Sequence, residues 1–116
     1  MMKDYKFDFE VEGKNYQLIF NLNVMQEIQD EYGTIKKWGE LTDAKSGEVN
    51  VKALIFGLTS MINEATEIKN EEKGLNEPLL TKKQVGRNIT TAGIEKSAER
   101  LNQAIIEGTK SDLKNE

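Results

Sequence analysis

The sequence predicts a single α+β domain in which an N-terminal antiparallel β-hairpin packs on a bundle of about four to five helices. Three observations carry that expectation. Apolar and polar residues alternate from Tyr5 to Leu22, and the spacing then changes to that of helices. Strand signals gather at the front and helix signals behind, the segregation that separates α+β from α/β chains. The length, 116 residues, suits one domain, and a chain of that size buries roughly two-thirds of its unfolded surface without staples. The domain is expected over 1–107, with 108–116 as a polar, frayed tail.

In the first strand Tyr5, Phe7, Phe9 and Val11 share one face, with Lys6, Asp8 and Glu10 on the other. Glu12-Gly13-Lys14-Asn15 reads as the turn, Gly13 supplying backbone freedom. Tyr16, Leu18, Phe20 and Leu22 continue the alternation in a second strand, which leaves Ile19 on the outer face. Asn23 reads as a helix cap with Gln26 in the capping-box position, opening a short helix over 24–32 that Gly33 closes. Ile35, Trp38 and Leu41 suggest a helical turn around 34–40, and 42–49 reads as a loop. Asn50 caps the main core helix, whose stripe runs Val51, Leu54, Ile55, Leu58, Met61, Ile62, Ala65, Ile68. Gly57 interrupts it, the mark of a close helix approach. Residues 69–79 read as a polar, mobile connection holding the only proline, Pro78. Thr81 and Gln84 form a second capping box. Apolar spacing then continues to Ile105, and Thr90, Thr91 and Gly93 favour two helices over one bent helix.

Composition narrows the function. There is no cysteine and no histidine, so disulfides, thiolate chemistry and the commonest general base and transition-metal ligand are absent. Ser46, Ser60, Ser97 and Ser111 have no histidine to activate them, and Lys96 and Ser97, adjacent on a helix, do not face each other. Asp30-Glu31 and Glu71-Glu72 read as solvated acidic pairs rather than ligands for a hard cation, and no phosphate-binding glycine loop occurs. A non-enzymatic protein without cofactor or metal is expected. The net charge of -4 weighs against nucleic acid, and the hairpin aromatics are needed for the core rather than for stacking bases. No run of about 18 apolar residues suggests a membrane span. Met1-Met2-Lys3-Asp4-Tyr5 carries no apolar signal core, so the cytoplasm is the expected compartment.

What remains is protein binding. Trp38 is the single tryptophan, beside Lys36-Lys37, and tryptophan is enriched at interface hot spots; the competing role is packing inside the domain. Ile94, Leu101 and Ile105, with Ile106 beside them, form a C-terminal stripe that packs internally or against a second copy. With Ile19 they make up the candidate interface, and a homo-oligomer is a possible outcome.

The ordered pattern Phe7-Asp8-Phe9-Glu10-Val11-Glu12-Gly13-Lys14-Asn15-Tyr16-Gln17-Leu18-Ile19-Phe20-Asn21, then Ile28-Gln29-Asp30-Glu31-Tyr32-Gly33, Trp38, Met61-Ile62-Asn63-Glu64 and Leu80-Thr81-Lys82-Lys83-Gln84-Val85-Gly86 resembles the small tail assembly chaperones of long-tailed phages and prophages of Gram-positive bacteria. The likeness spans most of 5–107 and lies in apolar and turn positions, with no catalytic signature. It implies a protein of the host cytoplasm that coats the long, apolar, helical tape measure protein, helps recruit tail tube subunits and then leaves. It also implies a longer form made by ribosomal frameshifting. The alternative is a structural tail component, a tube or completion protein retained in the virion.

Overall fold

The computed structural model describes residues 8–43, 45 and 48–114, with the side chains of Asp8, Thr91 and Lys110 onward left aside. Tyr5 and Phe7, half of the expected strand face, lie outside the described residues. Strands β1 (Asp8–Val11) and β2 (Lys14–Gln17) form a two-stranded antiparallel hairpin, followed by α1 (Leu22–Tyr32), α2 (Ile35–Thr42), α3 (Val51–Lys73), α4 (Lys82–Ala92) and α5 (Ile94–Lys114). The α+β class with the hairpin in front of the helices is as the sequence predicts.

The hairpin turn is tighter than expected. Val11 pairs with Lys14, so only Glu12 and Gly13 connect the strands, and both have positive φ (53° and 80°). That pattern matches the twist of a two-residue hairpin and suits glycine at its second position. Phe9 and Val11 are buried and β1 lies against α4. The second strand is shorter than the alternation suggests. Leu18 and Phe20 stay buried in extended chain beyond Gln17, but Leu22 is 73% exposed because it already belongs to α1. The cap is accordingly Asn21, whose side chain accepts from the Val24 N–H (3.2 Å). Asn23, the expected cap, sits inside the first turn and donates instead to Glu64 (3.0 Å).

Other caps fall where their residues place them. Asn50 accepts from the Ala53 N–H and Thr34 from the Lys37 N–H. Thr81 and Gln84 form the reciprocal capping box. Gly93, at φ 102°, separates α4 from α5. Its N–H donates to the Ile89 carbonyl (2.7 Å) and its own carbonyl accepts from the Ser97 N–H (3.1 Å), so one residue closes a helix and opens the next. The 82–107 stretch is thus two helices. The second continues through Lys114, covering most of the 108–116 segment expected as tail.

Helix α3 is the axis of the domain, touching α1, α2, α4, α5 and β2. Leu54, Leu58, Met61 and Ile62 are fully buried on it. The close approach marked by Gly57 is real: a Cβ there would overlap the Trp38 indole and lie 2.9 Å from Leu101 Cδ1. On α5, a Cβ at Gly108 would fall 2.5 Å from the Phe20 carbonyl oxygen, so the last helix rests directly on the backbone between hairpin and α1.

The 69–79 connection departs most from expectation. Its first part is helix: α3 runs to Lys73 and ends at Gly74 in the left-handed conformation. The remainder is tied down. Asn63 on α3 accepts from the Leu80 N–H (2.9 Å) and donates to the Leu80 carbonyl (3.0 Å). Two turns on, Asn70 does the same for Glu77 (3.0 and 3.1 Å). Two side-chain amides therefore supply backbone-like hydrogen bonds to a segment that is neither helix nor strand.

Candidate protein-binding groove

The candidate interface residues do not assemble into one surface. Trp38 is fully buried and its indole N–H donates to the Ala53 carbonyl (3.0 Å), which makes it a core residue with its one polar group satisfied. Leu101 is 1% exposed. Both correct the reading of these two as surface anchors: Gly57 makes room for the indole, and Leu101 fills the same gap from α5. Ile19 and Ile105 are half-buried, Ile105 against the core. Ile94 (42% exposed) and Ile106 (57%) do face outward, but twelve positions along a helix put them about 18 Å and roughly 120° apart.

What the fold does bring together is a groove of about 180 Å³ along α1, α3 and the start of α4. Glu27 comes from α1; Phe56, Thr59, Ser60, Asn63, Glu64 and Glu67 from α3; Leu79 and Lys82 from the connection and α4. The volume is below the roughly 300 Å³ at which small-molecule pockets begin, so it suits an anchoring side chain better than a free ligand.

The α1 wall is fixed by hydrogen bonds. Ser60 donates to Glu27 in a short contact, and Glu64 Oε2 accepts from the side chains of Asn21 (2.8 Å) and Asn23 (3.0 Å). The apolar side is Phe56, met edge-on by Tyr32 (centroids 5.6 Å apart, planes at 77°) and overlain by the Lys82 ammonium 5.1 Å from the ring centre. Leu79, 45% exposed, lies beside it, held there because Asn63 fixes the backbone of its neighbour Leu80. Burial first, and the Glu31 carboxylate second, hold the Tyr32 phenol above its ordinary range, so it stays neutral. Two buried hydroxyls here, Tyr32 Oη and Thr59 Oγ1, have no hydrogen-bond partner.

The lining carries three carboxylates against one ammonium, with an aromatic and a leucine between them. Chemically this favours a cationic, amphipathic surface over an anion. Among the described residues there is no group of three acidic, histidine or cysteine side chains able to hold a metal ion, and no helix is long and apolar enough to cross a membrane.

Sequence reasoning passed over this site because its residues look ordinary singly. Glu27, Glu64 and Glu67 are helix-surface acids, and Leu79 sits in a stretch read as polar linker. The available signal was Asn63 and Asn70, amides seven apart and so on one face of α3. Comparison with protein-family models, with curated proteins and with solved structures finds no match for the chain.

Proposed function

We propose that the chain is a phage tail assembly chaperone that holds the tape measure protein by contact alone, without catalysis, and helps tail tube subunits assemble around it in the host cytoplasm. The sequence resemblance supplies the family. The observation that carries the contact is the α1–α3 groove, with its apolar floor and acidic rim. A long helical partner offers such a groove a leucine-sized anchor for Leu79 and Phe56, and lysine or arginine one turn away for Glu27, Glu64 and Glu67. The binding mode is a helix laid across a groove, with the rim charges steering the encounter and the anchor holding it.

The test is co-expression with a phage tape measure protein, followed by affinity capture. Retention is expected, and Leu79→Asp combined with Glu67→Lys lowers it by roughly tenfold or more. If Ile94→Asp and Ile106→Asp reduce capture and the groove variants do not, contact lies on α5 and the groove assignment fails. Mass spectrometry of purified virions separates the chaperone from a tail component. A chaperone is absent from the particle; a tube or completion protein is retained there.

A further inference from the structure

Lys82, the first residue of α4, is the one cation lining the α1–α3 groove. Glu27, Glu64 and Glu67 line the same groove, yet among the described residues Lys82 forms no ion pair with any of them. Its ammonium lies instead over the Phe56 ring, 5.1 Å from the centre. The ring is partly buried and Tyr32 already packs against it, so the ammonium covers apolar surface on the groove side.

The local chain gives a cation no reason to be here. Lys82 and Lys83 open α4, no acidic residue stands in its first turn, and the positive end of a helix dipole disfavours a cation. Lys82 takes no part in the cap either, because Thr81 and Gln84 complete the capping box between them. The backbone before it is fixed: Asn63 holds both polar groups of Leu80, and the Thr81 N–H donates to the Gln84 side chain. The Lys82 backbone is thus anchored at the groove. Its side chain is exposed, and its one polar contact among the described residues is with the ring, so it can turn away with no backbone movement.

We infer that Lys82 is a side-chain lid on this groove, which covers Phe56 in the unbound protein and is displaced when a partner helix seats an apolar side chain between Phe56 and Leu79. The inference rests on the groove reading above and adds to it the residue that a partner must outcompete. An exposed cation–π contact is worth a factor of about two to five in an equilibrium, and that is the affinity the lid withholds until it moves.

The test uses two synthetic helical peptides of about 14 residues, roughly four turns. Both carry a leucine stripe, flanked by lysine in one and by glutamine in the other, and each is titrated into the full chain and followed by NMR. In the unbound protein the Lys82 side-chain methylene protons are expected upfield, shifted by the Phe56 ring. They should return towards ordinary lysine positions as either peptide saturates the groove. Lys82→Ala should tighten both peptides about two- to fivefold; Lys82→Arg, which keeps the charge and the ring contact, should not. Lys83→Ala removes the same charge from an exposed neighbour outside the groove lining, and should leave the affinity of the glutamine peptide unchanged. The lid is overturned, with the groove reading intact, if a peptide shifts Phe56 and Leu79 while the Lys82 methylenes stay upfield. It is also overturned if Lys82→Ala tightens the lysine peptide alone, which is charge repulsion and not a lid. If neither peptide shifts Phe56 and Leu79, in the wild type or in Lys82→Ala, the groove reading fails and the lid fails with it.

Discussion

Trp38 is buried because three local conditions meet around it: an acceptor for its N–H at Ala53, a missing side chain at Gly57, and flanking lysines, both exposed, that leave the indole on the inner face of α2. Trp38→Ala should therefore cost about 3–5 kcal/mol of stability, and Gly57→Ala about 1–3 kcal/mol by overpacking the same spot, both read from urea unfolding. Charge acts differently at Glu77, which pairs with Lys14 and Lys69 at 3.2 Å each. Hydrogen bonds from Lys69 and then Lys14 hold its carboxyl below the ordinary glutamate range. A carboxyl depressed in the folded state stabilises fully above its unfolded pKa, and that contribution disappears as pH falls through the folded value. The melting-temperature gap between wild type and Glu77→Gln should accordingly be present at neutral pH and close on acidification below the usual glutamate range.

At the scale of elements, what was legible had a local cause. The capping box at Thr81, the Asn50 cap, the glycine closing α1 and the apolar stripe of α3 all follow from residues within a few positions of each other. What was misread depended on distant partners. Leu22 continues a period of two yet joins a helix, because Asn21 takes the cap while the Asn21 and Asn23 amides both donate to Glu64 on α3. The segment after Gly74 is polar in composition, but Asn63 and Asn70 pin it from α3. Asn63→Ala leaves the Leu80 N–H and carbonyl without those partners, and the expected loss is about 1–3 kcal/mol. Hydrogen exchange at the Leu80 amide should accelerate by more than global destabilisation alone accounts for, marking local release of the connection.

For the whole molecule, the α+β arrangement was readable from the change of periodicity alone, whereas the α1–α3 groove was not. The α1–α3 groove draws on three separate stretches of the chain and contains no residue type that announces itself in isolation. Trp38 and Leu101 announced themselves and turned out to be interior. Exposure separates the variants in practice: Leu79→Asp changes a half-exposed leucine at the groove, so capture should fall while the melting temperature stays near that of the wild type.

The seating of Gly108 on the Phe20 carbonyl joins positions far apart along the chain. A ribosome delivers the hairpin early and this part of α5 late. Until translation has passed Gly108, Phe20 lacks its final cover and the domain cannot complete its closure. Nascent chains stalled before that point should remain protease-sensitive, because the domain closes only once Gly108 has left the ribosome.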